Sequence, residues 1–143
     1  VRTDDSELAR WLTEHAGSIL PVEFSSAFDT YLCTMRWMGA GLDWSGVPHR
    51  YLRLTPDVGD EDVVAWARET AVGRHEHVLV TDSAREPSVL CRLDDGLRDL
   101  DLLSHRPDVS ICGVDLIDGR PIPAYPHFIE RRSIEHLRSP ETP

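Results

Sequence analysis

The segment His75 to Thr81, reading His-Glu-His-Val-Leu-Val-Thr, divides the chain into two kinds of pattern. Before it, apolar residues recur at spacings of three and four; after it, short apolar runs alternate with turn residues. The first pattern belongs to amphipathic helices and the second to strands, and runs segregated in this way specify an α+β fold. The segment itself reads as a strand. His75, His77 and Leu79 then share one face and Glu76, Val78 and Val80 the other, so the valines are the expected core face and the histidines lie on a solvated one.

Three helices are predicted ahead of this strand. Asp4 to Ala16 carries Leu8, Trp11, Leu12 and Ala16 on one face, with Asp4 and Glu7 spaced as a capping box and Gly17 as its stop. After Pro21, Phe24, Ala27, Phe28, Tyr31, Leu32 and Met35 form a stronger stripe. From Asp60 to Val72, Val63, Trp66, Ala67, Thr70 and Ala71 face inward, acids fill the first turn and Gly73 follows. Between the second and third helices, Tyr51 to Leu54 reads as a short strand. A right-handed βαβ crossover then makes His49 to Leu54 parallel to His75 to Thr81.

Beyond the central strand, Val89 to Leu93 reads as a strand. Asp94-Asp95-Gly96 is either a hairpin turn or the start of a helix carrying Leu97, Leu100 and Leu103, and the spacing slightly favours the helix. Val109 to Ile117 is a strand reversed by Asp118-Gly119, with Pro121 and Pro123 placing the returning strand at a sheet edge. Pro126 to Leu137 is read as a last, poorly patterned helix. The expected architecture is a single α+β domain over residues 1–138, with a helical N-terminal half packed on a small mixed β-sheet that ends in an antiparallel hairpin. A disordered tail at 139–143 follows.

Charge narrows the function. The formal net charge is −10 and all fifteen basic residues are Arg; without clustered cations, nucleic acid is not an expected partner, whereas a basic protein would be steered toward this surface. No apolar run approaches a membrane span, and the acidic start, Val-Arg-Thr-Asp-Asp-Ser-Glu, lacks the pattern of a secretory signal. A cytoplasmic, bacterial protein is expected, the Arg-for-Lys bias pointing to a GC-rich genome. Cys33, Cys91 and Cys112 are too few and too dispersed for a disulfide framework and read as buried thiols.

Several weak sites compete. Asp94, Asp95, Asp99 and Asp101 form the densest acidic run, either a solvated face with local ion pairs or a docking face for a basic partner. Trp44, in a loop with Gly39, Gly41 and Gly46, is either a lid on the core or an exposed recognition anchor. His75 and His77 offer two imidazoles to a divalent metal, with Asp82, His49 or His105 as the third ligand. Ser83 and Cys91 would need a His and an acid beside them to act as nucleophiles, and spacing supplies neither. The leading expectation is an acidic interaction module without cofactor, an inhibitor or immunity-type protein that binds a basic partner through Trp44 and the acidic run. The rivals are a small metal-dependent hydrolase using His75, His77 and Asp82, and a small-ligand binder with a pocket between the second helix and the sheet.

Overall fold

The computed structural model describes residues 5–141. The three predicted helices form as α1 (Asp5–Glu14), α2 (Val22–Leu32) and α3 (Asp60–Arg68), the last continued by a 3-10 turn at Ala71–Arg74. The stripe of α1 buries Leu8 and Trp11, and that of α2 buries Phe28 and Leu32. The proposed Asp4 cap of α1 falls outside the described residues. For α3 the cap is Gly59 rather than Asp60, and the Asp62 carboxylate accepts the Gly59 N–H at 2.9 Å. The ambiguous acidic segment is helical, as α4 (Leu93–Arg98) and α5 (Leu100–Leu103), because Leu93, Leu97, Leu100 and Leu103 all reach the core.

The strands are β1 (Ser18–Leu20), β2 (Trp37–Met38), β3 (Gly41–Leu42), β4 (His49–Arg53), β5 (His77–Thr81), β6 (Ser88–Arg92), β7 (Val109–Ile117), β8 (Arg120–Arg132) and β9 (His136–Pro140). Seven of them form one sheet in the order β1-β6-β5-β7-β8-β9-β4, and β2 and β3 make a separate hairpin. Every neighbouring pair in the sheet is antiparallel, so the expected mixed sheet and βαβ crossover are corrected. β4 does run in the same direction as β5, but it pairs with β9 at the far edge, with β7, β8 and β9 between the two.

Helices cover both faces of the sheet. Val78 and Val80 of β5 pack with Val64, Ala67, Leu97 and Leu103 in one core, while Leu79 packs on the other face with Phe28, Leu32, Trp44 and Phe128. The face expected to be solvated is therefore buried at its centre, because α2 and the β2–β3 hairpin lie over it. Burial on both faces is what the unbroken apolar run Val78-Leu79-Val80 specifies.

The last part of the chain departs most from expectation. Pro126 to Leu137 is not a helix: it is the second half of β8, a three-residue turn, and the start of β9. The tail is ordered through Ser139 and Pro140, both buried in β9. The turn owes nothing to glycine, for Ser133 (φ 54°) and Ile134 (φ 65°) both adopt left-handed backbone, so no turn signal marks it. By contrast, Asp118 (φ 52°) and Gly119 (φ 77°) make the hairpin turn that their sequence announces. A β-branched residue in the left-handed region carries strain of ~1–2 kcal/mol, and Ile134 is 44% exposed, so its side chain contributes little in return. Ile134→Gly is accordingly expected to stabilise the protein by about 1 kcal/mol, read from the denaturation midpoint at unchanged slope.

Candidate functional site

The histidines of the central segment do not converge with Asp82. His75 lies before β5, at the end of the 3-10 turn, and is 8% exposed. A carboxylate only accepts, so His75 donates its Nδ1–H to Asp115 Oδ1 at 2.8 Å. Its Nε2 shares a hydrogen bond with His127 Nδ1 at 2.7 Å. His127 comes from an irregular stretch of β8, where the register against β7 shifts between Cys112 and Val114. His77 is half-buried at the start of β5, opposite Arg92 and Val114, and Asp82 follows the other end of the strand; at ~3.3 Å per residue, roughly 15 Å separates them. His49 is held by the Val47 carbonyl and packs on Trp44. The expected His75, His77 and Asp82 metal set is thus not assembled.

The Asp115, His75 and His127 chain ties the 3-10 turn to β7 and β8, and it carries a pH signature. Burial holds the His127 pKa below its ordinary value, as do His75 and Arg74, while Asp115 opposes them. A histidine harder to protonate in the folded than in the unfolded chain makes acid destabilising, because the unfolded chain binds the proton first. Stability should therefore be intact above about pH 6.5 and fall as pH drops below it. In melting curves collected between about pH 7 and 5, His127→Gln is expected to reduce that slope.

The acidic run is occupied from within. Arg68 pairs with Asp94, His15 lies 3.6 Å from Asp95, the Trp11 indole donates to Asp99 at 2.8 Å, and the buried Arg131 donates to Asp101 at 2.9 Å. These contacts join α4 and α5 to α1, α3 and β8. Trp44 is 6% exposed, donates to Glu130 at 3.0 Å and packs on Phe128, which is the placement of a core lid. Two of the three cysteines are buried, with Cys91 and Cys112 thiols pushed up to about 12 chiefly by burial. Cys33 is exposed, contrary to expectation, because it caps α2 on its solvent side. Ser83 Oγ accepts the Arg85 N–H and does not meet a histidine–acid pair.

The carboxyl end of β5 gathers more. Asp82 borders a crevice of about 140 Å³ between α2, the β2–β3 hairpin and the sheet. Asp29, Asp82, Asp108 and Glu130 bring carboxylates to it, Phe28, Leu32 and Trp37 bring apolar surface, and Arg131 and Arg132 bring positive charge. Arg131 is already committed: it pairs with Asp101 and donates to the Pro107 and Arg106 carbonyls, fixing the loop that presents Asp108. Three of the carboxylates are hydrogen-bonded by neutral donors, while the Arg132 guanidinium lies close over Gly41 in the same crevice. Ser104 Oγ–H and the His105 N–H serve Asp82, the Ser133 N–H serves Asp108, and the Trp44 indole serves Glu130. At the rim, Trp37 is 41% and Met38 65% exposed.

Comparison with family models, curated proteins and solved structures found no match.

Of the candidate site residues named from sequence, Asp82 and Ser83 line this crevice. The place of Asp82 just beyond a strand was legible. Asp29, Trp37, Asp108 and Glu130 come from four separate elements and carry no shared local signal. Asp82 also borders a second, more apolar cavity on the α1 side of the sheet, which holds Glu86 and His105.

Proposed function

We propose that the chain is an acidic protein-interaction module of the inhibitor or immunity type, which binds a basic protein partner by seating an Arg or Lys side chain in the crevice beside Asp82. The observation that carries this reading is the crevice itself: four carboxylates, three of them held by neutral donors, outnumber the Arg131 and Arg132 guanidiniums around an apolar floor and the partly exposed ring of Trp37. A guanidinium there would gain charge-assisted hydrogen bonds and a cation–π contact with Trp37. The net charge of −10 would speed the encounter. The docking role once expected of Asp94, Asp95, Asp99, Asp101 and Trp44 moves to this crevice, since those residues have internal partners.

Size favours a side chain over a free metabolite. Small-molecule pockets usually span about 300–1,000 Å³, and this crevice offers about 140 Å³. No helix among the described residues is long and apolar enough to cross a membrane, and a bacterial cytoplasmic setting accompanies the reading. The test is affinity capture with the chain and with an Asp29→Lys, Trp37→Ala variant. A basic protein should be retained by the first, released as salt rises from about 0.1 to 0.5 M, and held at least roughly tenfold more weakly by the variant. A neutral or acidic partner that tolerates high salt, or equal retention by the variant, contradicts the proposal.

A further inference from the structure

We infer that Asp82, Glu86 and His105 form a binding site for a divalent transition-metal ion, of the Zn²⁺ or Mn²⁺ type. One ligand atom from each residue lies within 4.8 Å of the others, close enough for a single ion to meet all three. The convergence has structural causes. Ser104 and the His105 N–H clamp both oxygens of Asp82, which brings the His105 side chain over the end of β5. Glu86 is placed by the β5–β6 loop, and α2 anchors that loop through Ser25 to the Glu86 carbonyl and Ser26 to the Ala84 carbonyl. Orienting bonds of this kind are what metal-binding carboxylates receive from their surroundings.

Two further observations point to a ligand. Glu86 Oε2 is enclosed and has no hydrogen-bond partner among the described residues, and a buried carboxylate oxygen is costly unless something positive or donating meets it. All three residues also line a cavity of about 420 Å³ whose walls include Leu8, Leu12, Ile19, Val89 and Leu103. An apolar cavity with a few convergent polar groups is the usual form of a ligand site. The donor set chooses the metal class. An imidazole nitrogen disfavours Ca²⁺ and Mg²⁺, which take oxygen ligands, and with no thiolate in the set a soft ion such as Cu(I) is not selected. Three protein donors leave a coordination position open for a further ligand.

The site goes beyond the proposed docking role; it shares Asp82 with the crevice, but Glu86 and His105 do not border the crevice, so variants at those two residues separate the readings. The test is calorimetric titration of Zn²⁺, then Mn²⁺, into tag-free, chelator-stripped full chain. The expected result is one ion per chain, with Mg²⁺ and Ca²⁺ much weaker. Glu86→Gln and His105→Ala should each weaken Zn²⁺ by roughly tenfold or more. Their circular dichroism should match that of the parent chain, so that lost binding is not lost folding. His127→Ala and the Asp29→Lys, Trp37→Ala variant should bind Zn²⁺ as the parent does, which keeps a failure of the docking reading distinct. Absence of binding, or binding that survives both site variants or is abolished by His127→Ala, overturns the inference.

Discussion

Phe128→Ala is expected to destabilise the protein by about 3–5 kcal/mol, the range for removing a fully enclosed aromatic ring. Phe128 is 0% exposed and stands at the centre of the core between the sheet and α2. Its ring lies 5.9 Å from Phe28, 6.2 Å from Tyr31 and 5.9 Å from Trp44. The substitution opens a hole that these neighbours cannot close, because Tyr31 is stacked on Tyr125 and Trp44 is tied to Glu130. It also loosens the packing that holds α2, and with it Asp29, over the crevice. Urea denaturation measures the loss directly, and a cost below about 1 kcal/mol would mean that this core is not packed as described.

Gly113→Ala should be nearly as damaging, for a local reason. A Cβ at residue 113 would stand 2.4 Å from His75 Cδ2, and His75 cannot swing away without releasing Asp115 and His127. Overpacking of this kind costs about 1–3 kcal/mol, and each hydrogen bond given up adds about 1 kcal/mol. The two costs share one cause, so they should not add. In a His75→Ala background, Gly113→Ala should become mild, giving a coupling energy of at least about 1 kcal/mol in the double-mutant cycle. Simple additivity would show that His75 does not lie over Gly113.

The fold was legible where order is local. The stripes of α1, α2 and α3 follow from residues three and four apart, and the β7–β8 turn follows from Asp118-Gly119. It was illegible where pairing is remote. Nothing in Tyr51 or Leu52 announces that β4 pairs with β9, and the turn at Ser133 and Ile134 uses residues that ordinarily avoid left-handed backbone. Without a turn signal, Phe128, Ile129, Ile134 and Leu137 resembled a helical stripe, although they belong to two strands and the turn between them.

The same distinction governs the sites. Asp94, Asp95, Asp99 and Asp101 are close in sequence and so read as a face, yet Trp11, Arg68 and Arg131 reach them from distant segments and give them structural work. Asp82 was legible from its position after a strand. Glu86 lies four residues from it, but its alliance with His105 depends on the loop beyond α5, and the acids of the crevice depend on α2, β7 and β8.

The most direct measurement is a nuclear magnetic resonance titration of the ¹⁵N-labelled chain with a short Arg-rich peptide at low salt. The expected result is a localised response at the Trp37 indole and at the amides of Asp29, Asp82, Asp108 and Glu130, diminished by salt and by Asp29→Lys. A response centred on Asp94 to Asp101, spread evenly over the acidic surface, or unchanged by Asp29→Lys would contradict the assignment of the crevice as the seat of a basic partner.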